Sequence, residues 1–216
     1  MLISVHIPKT GGTAFGALLA DRFGPRLLQD YDDRPLSHPA AWRIGAALAR
    51  LPVQPARVAR YDAVHGHFLA LKYLAVRGDV VTWLRDPAQR VLSRYHHYLR
   101  DVAEGRPLQR VRGLRPGLAL EEFIELPRFR DTMAKYFAGF PLRRVRCFGF
   151  SEDMAEGLAR MRRTLGLELG APALVNANPR REGEAYDIPE ALRRRIERLN
   201  PGDYRLWYEA RAREGV

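Results

Sequence analysis

Strands alternating with helices along 216 residues predict an α/β fold: one domain, 1–216, with a central parallel β-sheet flanked by helices in three layers. Three observations carry that prediction. Short apolar runs at 2–7, 61–68, 80–84 and 145–150 have the length of strands, and the run at 80–84 is apolar throughout, as a strand buried on both faces is. Between these runs, apolar residues recur at helical spacing. Proline and glycine punctuate the joins, and no internal repeat, low-complexity tract or linker divides the chain.

The first strand carries Leu2, Ile3, Val5 and Ile7 and stops at Pro8, which has no N–H for a ladder. Gly11 and Gly12 allow a sharp turn, and Thr13 reads as the N-cap of a helix carrying Phe15, Leu18 and Leu19. The stretch 24–60 is rich in proline and charge. It holds one short helix over 40–51, with Trp42, Ile44, Leu48 and Leu51 as its apolar set. The acidic Asp30-Tyr-Asp-Asp33 reads as a turn within a surface connection. A second strand over 61–68 ends at Gly66, residues 69–76 have helical spacing, and Gly78-Asp79 turns the chain into the strand at 80–84.

Asp86 and Pro87 then suit the cap and first turn of a helix reaching about Val102, with Val91, Leu92, Tyr95, Tyr98 and Leu99 on its buried side. A loop over 104–117 holds Arg106, Arg110, Arg112 and Arg115. Two short helices are expected over 119–125 and 129–137. Strand 145–150 follows, with Cys147 a small buried hydrophobe. Ser151 is expected to cap a helix whose Met154, Leu158, Met161 and Leu165 form one stripe, ended by Gly166. Residues 173–176 read as an edge strand. Pro189 opens a helix with Leu192, Ile196 and Leu199, and a last helix carries Tyr204, Trp207 and Tyr208.

The formal charge of +11 and pI near 10.4 suit anionic partners: nucleic acid, acidic glycan, nucleotide or a membrane surface. A solvated arginine-rich surface is the plainer account of the same numbers. Cys147 is the single cysteine, so no internal disulfide forms, which agrees with a reducing compartment. The chain opens directly into its first strand and has no 18-residue apolar stretch, so a soluble cytoplasmic protein without a membrane span is expected.

Chemistry concentrates at three places. Strand, glycine turn and helix start in "HIPKTGGT" aim free N–H groups and a partial positive charge at one point, which makes an anion site, with Lys9 at its rim. An ordinary turn with an incidental lysine competes, but the chain has three lysines against 33 arginines, so a lysine in this loop is unlike the rest of the composition. The pattern GxxxxGK[ST] of P-loop NTPases is absent, because Lys9 precedes Gly11-Gly12. In "WLRDPAQRVLSRYHHYL", Arg85 ends a strand and Ser93 lies eight residues on, a fork and a hydroxyl suited to a phosphate monoester. A surface arginine and an unrelated helix serine explain that pair equally well when it is taken alone. Arg90 and Arg94 read as surface charges, and His96 and His97 as non-functional. In His65-Gly66-His67, two histidines share a strand face and have the pKa range of a general base. A structural Gly-His turn with a core histidine competes. A metal pair is discounted because no third ligand stands at recognisable spacing.

These residues resemble the sulfotransferases that use PAPS (3′-phosphoadenosine 5′-phosphosulfate). "HIPKTGGT" is similar to their 5′-phosphosulfate loop, nearest the branch of heparan sulfate 2-O-sulfotransferases and carbohydrate sulfotransferases, here in a soluble, bacterial-type form. Arg85 and Ser93 resemble the pair that holds the 3′-phosphate, and His65-Gly66-His67 resembles the HGH of the 2-O-sulfotransferases. The resemblance implies a P-loop-like fold. It implies that Lys9, Thr10, Gly11, Gly12 and Thr13 bind the phosphosulfate, that Lys9 is also catalytic, that His67 is the base and that His65 assists. PAPS is then the co-substrate and PAP the product, the acceptor is a hydroxyl on a saccharide or glycolipid, and no metal is needed. "RDTMAKYFAG" is similar to the family's N-x-Q-T-R-x-L-x-G segment, with Asp131 in place of Asn and Lys135 in place of Arg. "VNANPRRE" resembles the late segment that closes over the nucleotide, which brings Arg180 and Arg181 to the cofactor.

A nucleotide-dependent kinase is the enzymatic alternative, and the missing Walker lysine argues against it. A basic nucleic-acid-binding module is the other, and no aromatic–basic repeat or helix-turn-helix pattern supports it. The loop 104–117 reads as solvated surface, with an anionic saccharide as its competing use.

Overall fold

The structure, a computed structural model, describes residues 1–31, 33, 38–109, 111–170 and 185–216. Among them, five strands form one sheet: β1 (Leu2–Val5), β2 (Leu27–Gln29), β3 (Ala63–Gly66), β4 (Asp79–Leu84) and β5 (Val145–Phe150). Their order is β2-β3-β1-β4-β5, and every pairing is parallel. The helices are α1 (Gly12–Phe23), α2 (Ala40–Arg50), α3 (Gln54–Val58), α4 (Pro87–Ala103), α5 (Leu120–Phe123), α6 (Thr132–Tyr136), α7 (Met154–Leu165), α8 (Glu190–Leu199) and α9 (Pro201–Glu214).

The strands are apolar on both faces because both faces are covered. Ile3, Val5, Val64, Val80, Leu84 and Phe148 point one way and pack against Met133, Leu206 and Ala210 on the α6 and α9 side. Leu2, Ala63, Val81, Trp83 and Cys147 point the other way, onto Phe15 and Leu19 of α1 and Met161 of α7. That alternation is the two-residue period of a strand, and it makes the three layers expected of this α/β class. Trp83 fits because Gly149 and Gly157 lack side chains: a Cβ on either would come within 2.5 or 2.6 Å of its ring.

The connections distinguish one edge of the sheet. From β1 the chain crosses through α1 toward β2 on one face. From β4 it crosses through α4 to α6 toward β5 on the other. Loops leaving neighbouring strands in opposite directions open a crevice at the strands' carboxyl ends, where ligands of such sheets bind. The Lys9 loop follows β1 and Arg85 follows β4, so both flank it.

Several expectations change. Gly11, in the left-handed region at φ 86°, is the N-cap of α1, so Thr13 lies inside the helix and is exposed. Asp153, not Ser151, caps α7 by accepting from Glu156 N at 3.0 Å. The stretch 69–76 makes a single 3-10 turn, Ala70–Tyr73. Leu99 is exposed, and Arg90 is buried at 1% exposure beside Asp203 of α9, with an N–O separation of 3.5 Å. The strand β2 lies inside the stretch read as a connection, and Asp30, just after it, is not on a surface turn. Asp30 is buried, and its Oδ2 accepts from Lys72 Nζ and Tyr73 OH, each at 2.6 Å. Gly66 makes this possible, since a Cβ there would lie 1.8 Å from the Asp30 carbonyl oxygen. Asp86 does cap α4, accepting from Gln89 N at 2.8 Å. The expected strand at 173–176, together with Arg110, Arg180 and Arg181, lies outside the described residues. Among the described residues, no helix is long and apolar enough to cross a membrane.

Candidate active site

The Lys9 loop is built from a tight turn and a helix start. Lys9 has φ 71°, a conformation L-residues with side chains seldom adopt, and Gly11 has φ 86°. Thr10 is buried, and its hydroxyl donates to the Ile7 carbonyl at 2.9 Å, which closes the turn. The N–H groups opening α1 have no partners within the helix, so they and the helix dipole face outward from the loop. Gly11 lies against Met154 of α7, 2.8 Å from where its Cβ would stand.

Lys9 itself is half-buried. Burial first, then Arg100, Arg94 and Arg85, push its pKa down to about 8, with Asp101 opposing. Arg94 and Arg100 of α4, one read as a surface charge, therefore belong to the surroundings of this loop. So does His97, pushed down to about 4 by burial and by Lys9. Cations gathered around a half-buried lysine repel one another until an anion enters among them. Arg85 is half-buried at the end of β4, with its guanidinium carbon 5.9 Å from the Tyr186 ring centre. The Asp86 N–H beside it donates to Glu152 Oε1 at 2.7 Å. Gln89 holds the Tyr186 backbone from both sides, donating to its carbonyl at 2.7 Å and accepting from its N–H at 2.8 Å. His96 stacks on the Tyr186 ring with centroids 4.8 Å apart. Ser93 sits on the buried side of the same helix at 7% exposure.

Three histidines, not two, stand next to the loop. In the β1–β3 pairing Ser4 lies opposite His65, and the His6 N–H donates to the Gly66 carbonyl at 2.9 Å. His6 stacks on His65 with centroids 4.9 Å apart and tilts against His67 at 4.3 Å. Room for the rings comes from α1: a Cβ on Gly12 would lie 2.0 Å from the His6 ring, and one on Gly16 would lie 2.7 Å from His65 Nε2. Tyr31, just past β2, completes the group, with its hydroxyl 2.9 Å from His6 Nδ1 and its ring edge-on to His67 at 4.9 Å.

The roles of the rings differ. The partner of His67 Nδ1 is the His6 carbonyl, at 2.6 Å. A carbonyl only accepts, so Nδ1 carries the hydrogen and Nε2 keeps its lone pair. Burial holds His67 below its ordinary pKa, although the His6 carbonyl favours the charged form. His65 is enclosed at 2% exposure, with Nδ1 2.8 Å from the Ser4 hydroxyl. Burial, with His67 adding to it, takes His65 down to about 4. His6 goes down to about 2 by burial, then by His67 and His65. A pocket of about 390 Å³ opens beside His67 between Thr13, Gly16 and Ala20 of α1 and Gln29 and Tyr31 at the end of β2. Among the described residues, no group of three or more His, Cys, Asp or Glu side chains is arranged to hold a metal ion.

His6 and Tyr31 were missed by sequence reasoning. A signal for His6 existed: Ser4 and His6 interrupt the apolar run at alternate positions, as His65 and His67 do in the partner strand. Tyr31 had no such signal. The arginine loop is partly neutralised, with Arg106 paired to Asp101 at 2.9 Å and Arg115 to Glu122 at 2.7 Å. No protein-family model matches this chain, and comparison with curated proteins gives no match.

Proposed function

We propose that the protein is a sulfotransferase that moves the sulfuryl group of PAPS to a hydroxyl of a carbohydrate or glycoconjugate. One observation carries this reading above the others. The carbonyl of His6, three residues before Lys9, sets the tautomer of His67. A single turn of chain thus presents both a cationic anion loop and a neutral imidazole with its Nε2 lone pair available. The strand order and the two loops flanking the crevice support a P-loop-like, nucleotide-holding fold.

On this reading the N–H groups of Thr10, Gly11, Gly12 and Thr13 cradle the 5′-phosphosulfate. Arg85 and Ser93 hold the 3′-phosphate. His67 Nε2 accepts the proton of the acceptor hydroxyl as its oxygen attacks sulfur. The bond from sulfur to the bridging oxygen breaks, and PAP leaves with the new charge facing Lys9 and the α1 N-terminus. The work is positioning and electrostatics, as in phosphoryl transfer. His65 assists by holding the β1 and β3 ends together through Ser4.

Calorimetric titration with PAP beside ADP tests the reading. Tight PAP binding, weak ADP binding and loss of PAP binding in Arg85→Ala are expected. Equal or absent binding of the two nucleotides sinks it. Mg²⁺-dependent ADP binding would then favour a kinase, and steeply salt-dependent binding to DNA of any sequence a nucleic-acid module.

A further inference from the structure

Helix α2 turns its large apolar side chains outward. Its sequence offers Trp42 and Leu48 to the interior, yet these are 54% and 47% exposed, and the buried residues are Arg43 and Ala47. Val53, between α2 and α3, is exposed as well. Ala41, Gly45, Ala49 and Pro52 lie exposed among them at steps of three and four, so the apolar surface runs unbroken along one side of the helix. Single exposed apolar residues are ordinary on any protein. This face differs in what surrounds them. Over 38–60 every exposed residue is apolar, a histidine or an arginine, and the one uncharged polar side chain, Gln54, is buried. No Asp or Glu stands between Asp33 and Asp62, the longest such interval in the sequence. Arg50 pairs with Asp33, whereas the exposed Arg57 and Arg60 have no carboxylate partner among the described residues.

Apolar and cationic side chains without a single acid select among the partners that could cover the face. A second copy docked by two-fold symmetry would set the face against itself, with Arg57 and Arg60 meeting arginines and no carboxylate between them. A nucleic acid is gripped by hydroxyl and amide side chains as well as arginines, and none of these is exposed here. The surface of an anionic bilayer asks for what is present. Trp and Leu enter the boundary between headgroups and acyl chains, arginines meet the lipid phosphates, and no carboxylate is repelled. The tryptophan is also held in place, because the His38 ring lies against it with centroids 3.9 Å apart.

We propose that the outer face of α2 and α3 docks on the surface of an anionic lipid bilayer, with Trp42, Leu48 and Val53 in the headgroup–acyl boundary and Arg57 and Arg60 on lipid phosphates. The helices lie in the plane of the surface and do not cross it. The face is fixed to the rest of the fold by polar bonds. Arg50 pairs with Asp33, whose Oδ2 accepts from Lys72 Nζ at 2.8 Å, and the same ammonium donates to Asp30 at 2.6 Å. The Asp30 N–H in turn donates to the His65 carbonyl at 2.9 Å. The docking face is thereby tied to the strand end that carries His65 and His67. The docking itself does not depend on the sulfotransferase reading.

The probe is vesicles of equal parts phosphatidylglycerol and phosphatidylcholine, beside vesicles of phosphatidylcholine alone, mixed with the full chain. Binding is read by co-sedimentation, and insertion by quenching of tryptophan fluorescence with lipids brominated in the acyl chain. The anionic vesicles should bind at least ~10-fold more tightly than the neutral ones. Quenching should disappear in Trp42→Phe, which keeps an interfacial ring but removes the reporter; Trp83 is enclosed at 2% exposure and stays unquenched. Arg57→Gln with Arg60→Gln should weaken binding ~30-fold, ~5-fold for each charge near the surface. Trp42→Ser with Leu48→Ser should remove insertion without lowering the melting temperature, since both side chains are exposed. Arg198→Gln with Arg205→Gln takes the same charge from exposed positions of α8 and α9 and should change binding less than ~3-fold. Absence of binding to the anionic vesicles, undiminished binding in Trp42→Ser with Leu48→Ser, or an equal loss in Arg198→Gln with Arg205→Gln each overturns the proposal. A dimer in light scattering that dissociates in Trp42→Ser with Leu48→Ser, with no vesicle binding, also overturns it and makes the face a contact between copies. The assay uses neither PAPS nor PAP, so its failure leaves the proposed reaction standing, and a failed PAP titration leaves the docking standing.

Discussion

His67 is neutral at pH 7 because burial outweighs the hydrogen bond that favours its charged form, and Lys9 is poised near neutrality by burial and three arginines. On the proposed sulfuryl transfer, these directions set the pH profile of the free protein's activity. kcat/KM rises with pH through the His67 pKa, below the ordinary 6.5, and falls again as Lys9 loses its proton at about 8. His67→Ala should remove the acid limb and lower kcat by ~10²–10⁴-fold while PAP binds as before. If that variant transfers sulfate at the parent rate, His67 is not the base. Lys9→Ala should raise the barrier by ~3 kcal/mol, about a hundredfold in rate, as removal of one donor to a developing charge does. A rise in KM at unchanged kcat would instead make Lys9 a binding charge only.

Helices α6 and α9 cap one another. Asp131 Oδ1 accepts from Gly202 N at 2.8 Å and Asp203 N at 3.0 Å, in the first turn of α9, while Asp203 Oδ1 accepts from Ala134 N at 2.8 Å, in the first turn of α6. Asn200 Oδ1 adds a bond from Asp131 N at 2.9 Å, and Asp131 is held at φ 46°. Asp131→Ala should therefore cost about 1–2 kcal/mol in urea unfolding, the range of a lost N-cap, while Asp131→Asn keeps the acceptor and tolerates the left-handed backbone. Parent-like stability in Asp131→Ala would show that the bonds are not formed in solution. The same pair of helices shows where sequence stops being informative. Asp203 is distant in sequence from both Asp131 and Arg90, so no spacing announces that Arg90 is buried beside it. Strands β1, β3, β4 and β5 and helices α4 and α7 were legible because a strand or helix period repeats within each. Three residues of β2 show no period, and α2 presents the wrong face. The Lys9 loop and His65-Gly66-His67 could be read from residue types alone. His6 and Tyr31 join the site only through strand register and the course of the chain past β2.

Stability should respond to acid through the enclosed histidines. In the unfolded chain His6 and His65 take up protons near pH 6.5, whereas in the folded chain burial delays them to about 2 and about 4. A histidine whose pKa is lowered by folding adds stability that is complete above its unfolded pKa and is lost as pH falls below it. For His65 the loss runs from about 6.5 to about 4, and for His6 it continues to about 2. Below pH 6 the two together should remove ~3 kcal/mol per pH unit, since each bound proton contributes about 1.4. Against a typical total of about 5–15 kcal/mol, that slope unfolds the domain within a few pH units. Urea unfolding at pH 7.5, 6 and 5 measures it, and His65→Asn, which keeps a polar partner for Ser4 but cannot titrate, should roughly halve the slope. An unchanged acid limb in that variant would remove His65 from the account. Because the same rings orient His67, the protein should lose its active geometry and its fold over one pH range, with the loss reversed on neutralisation.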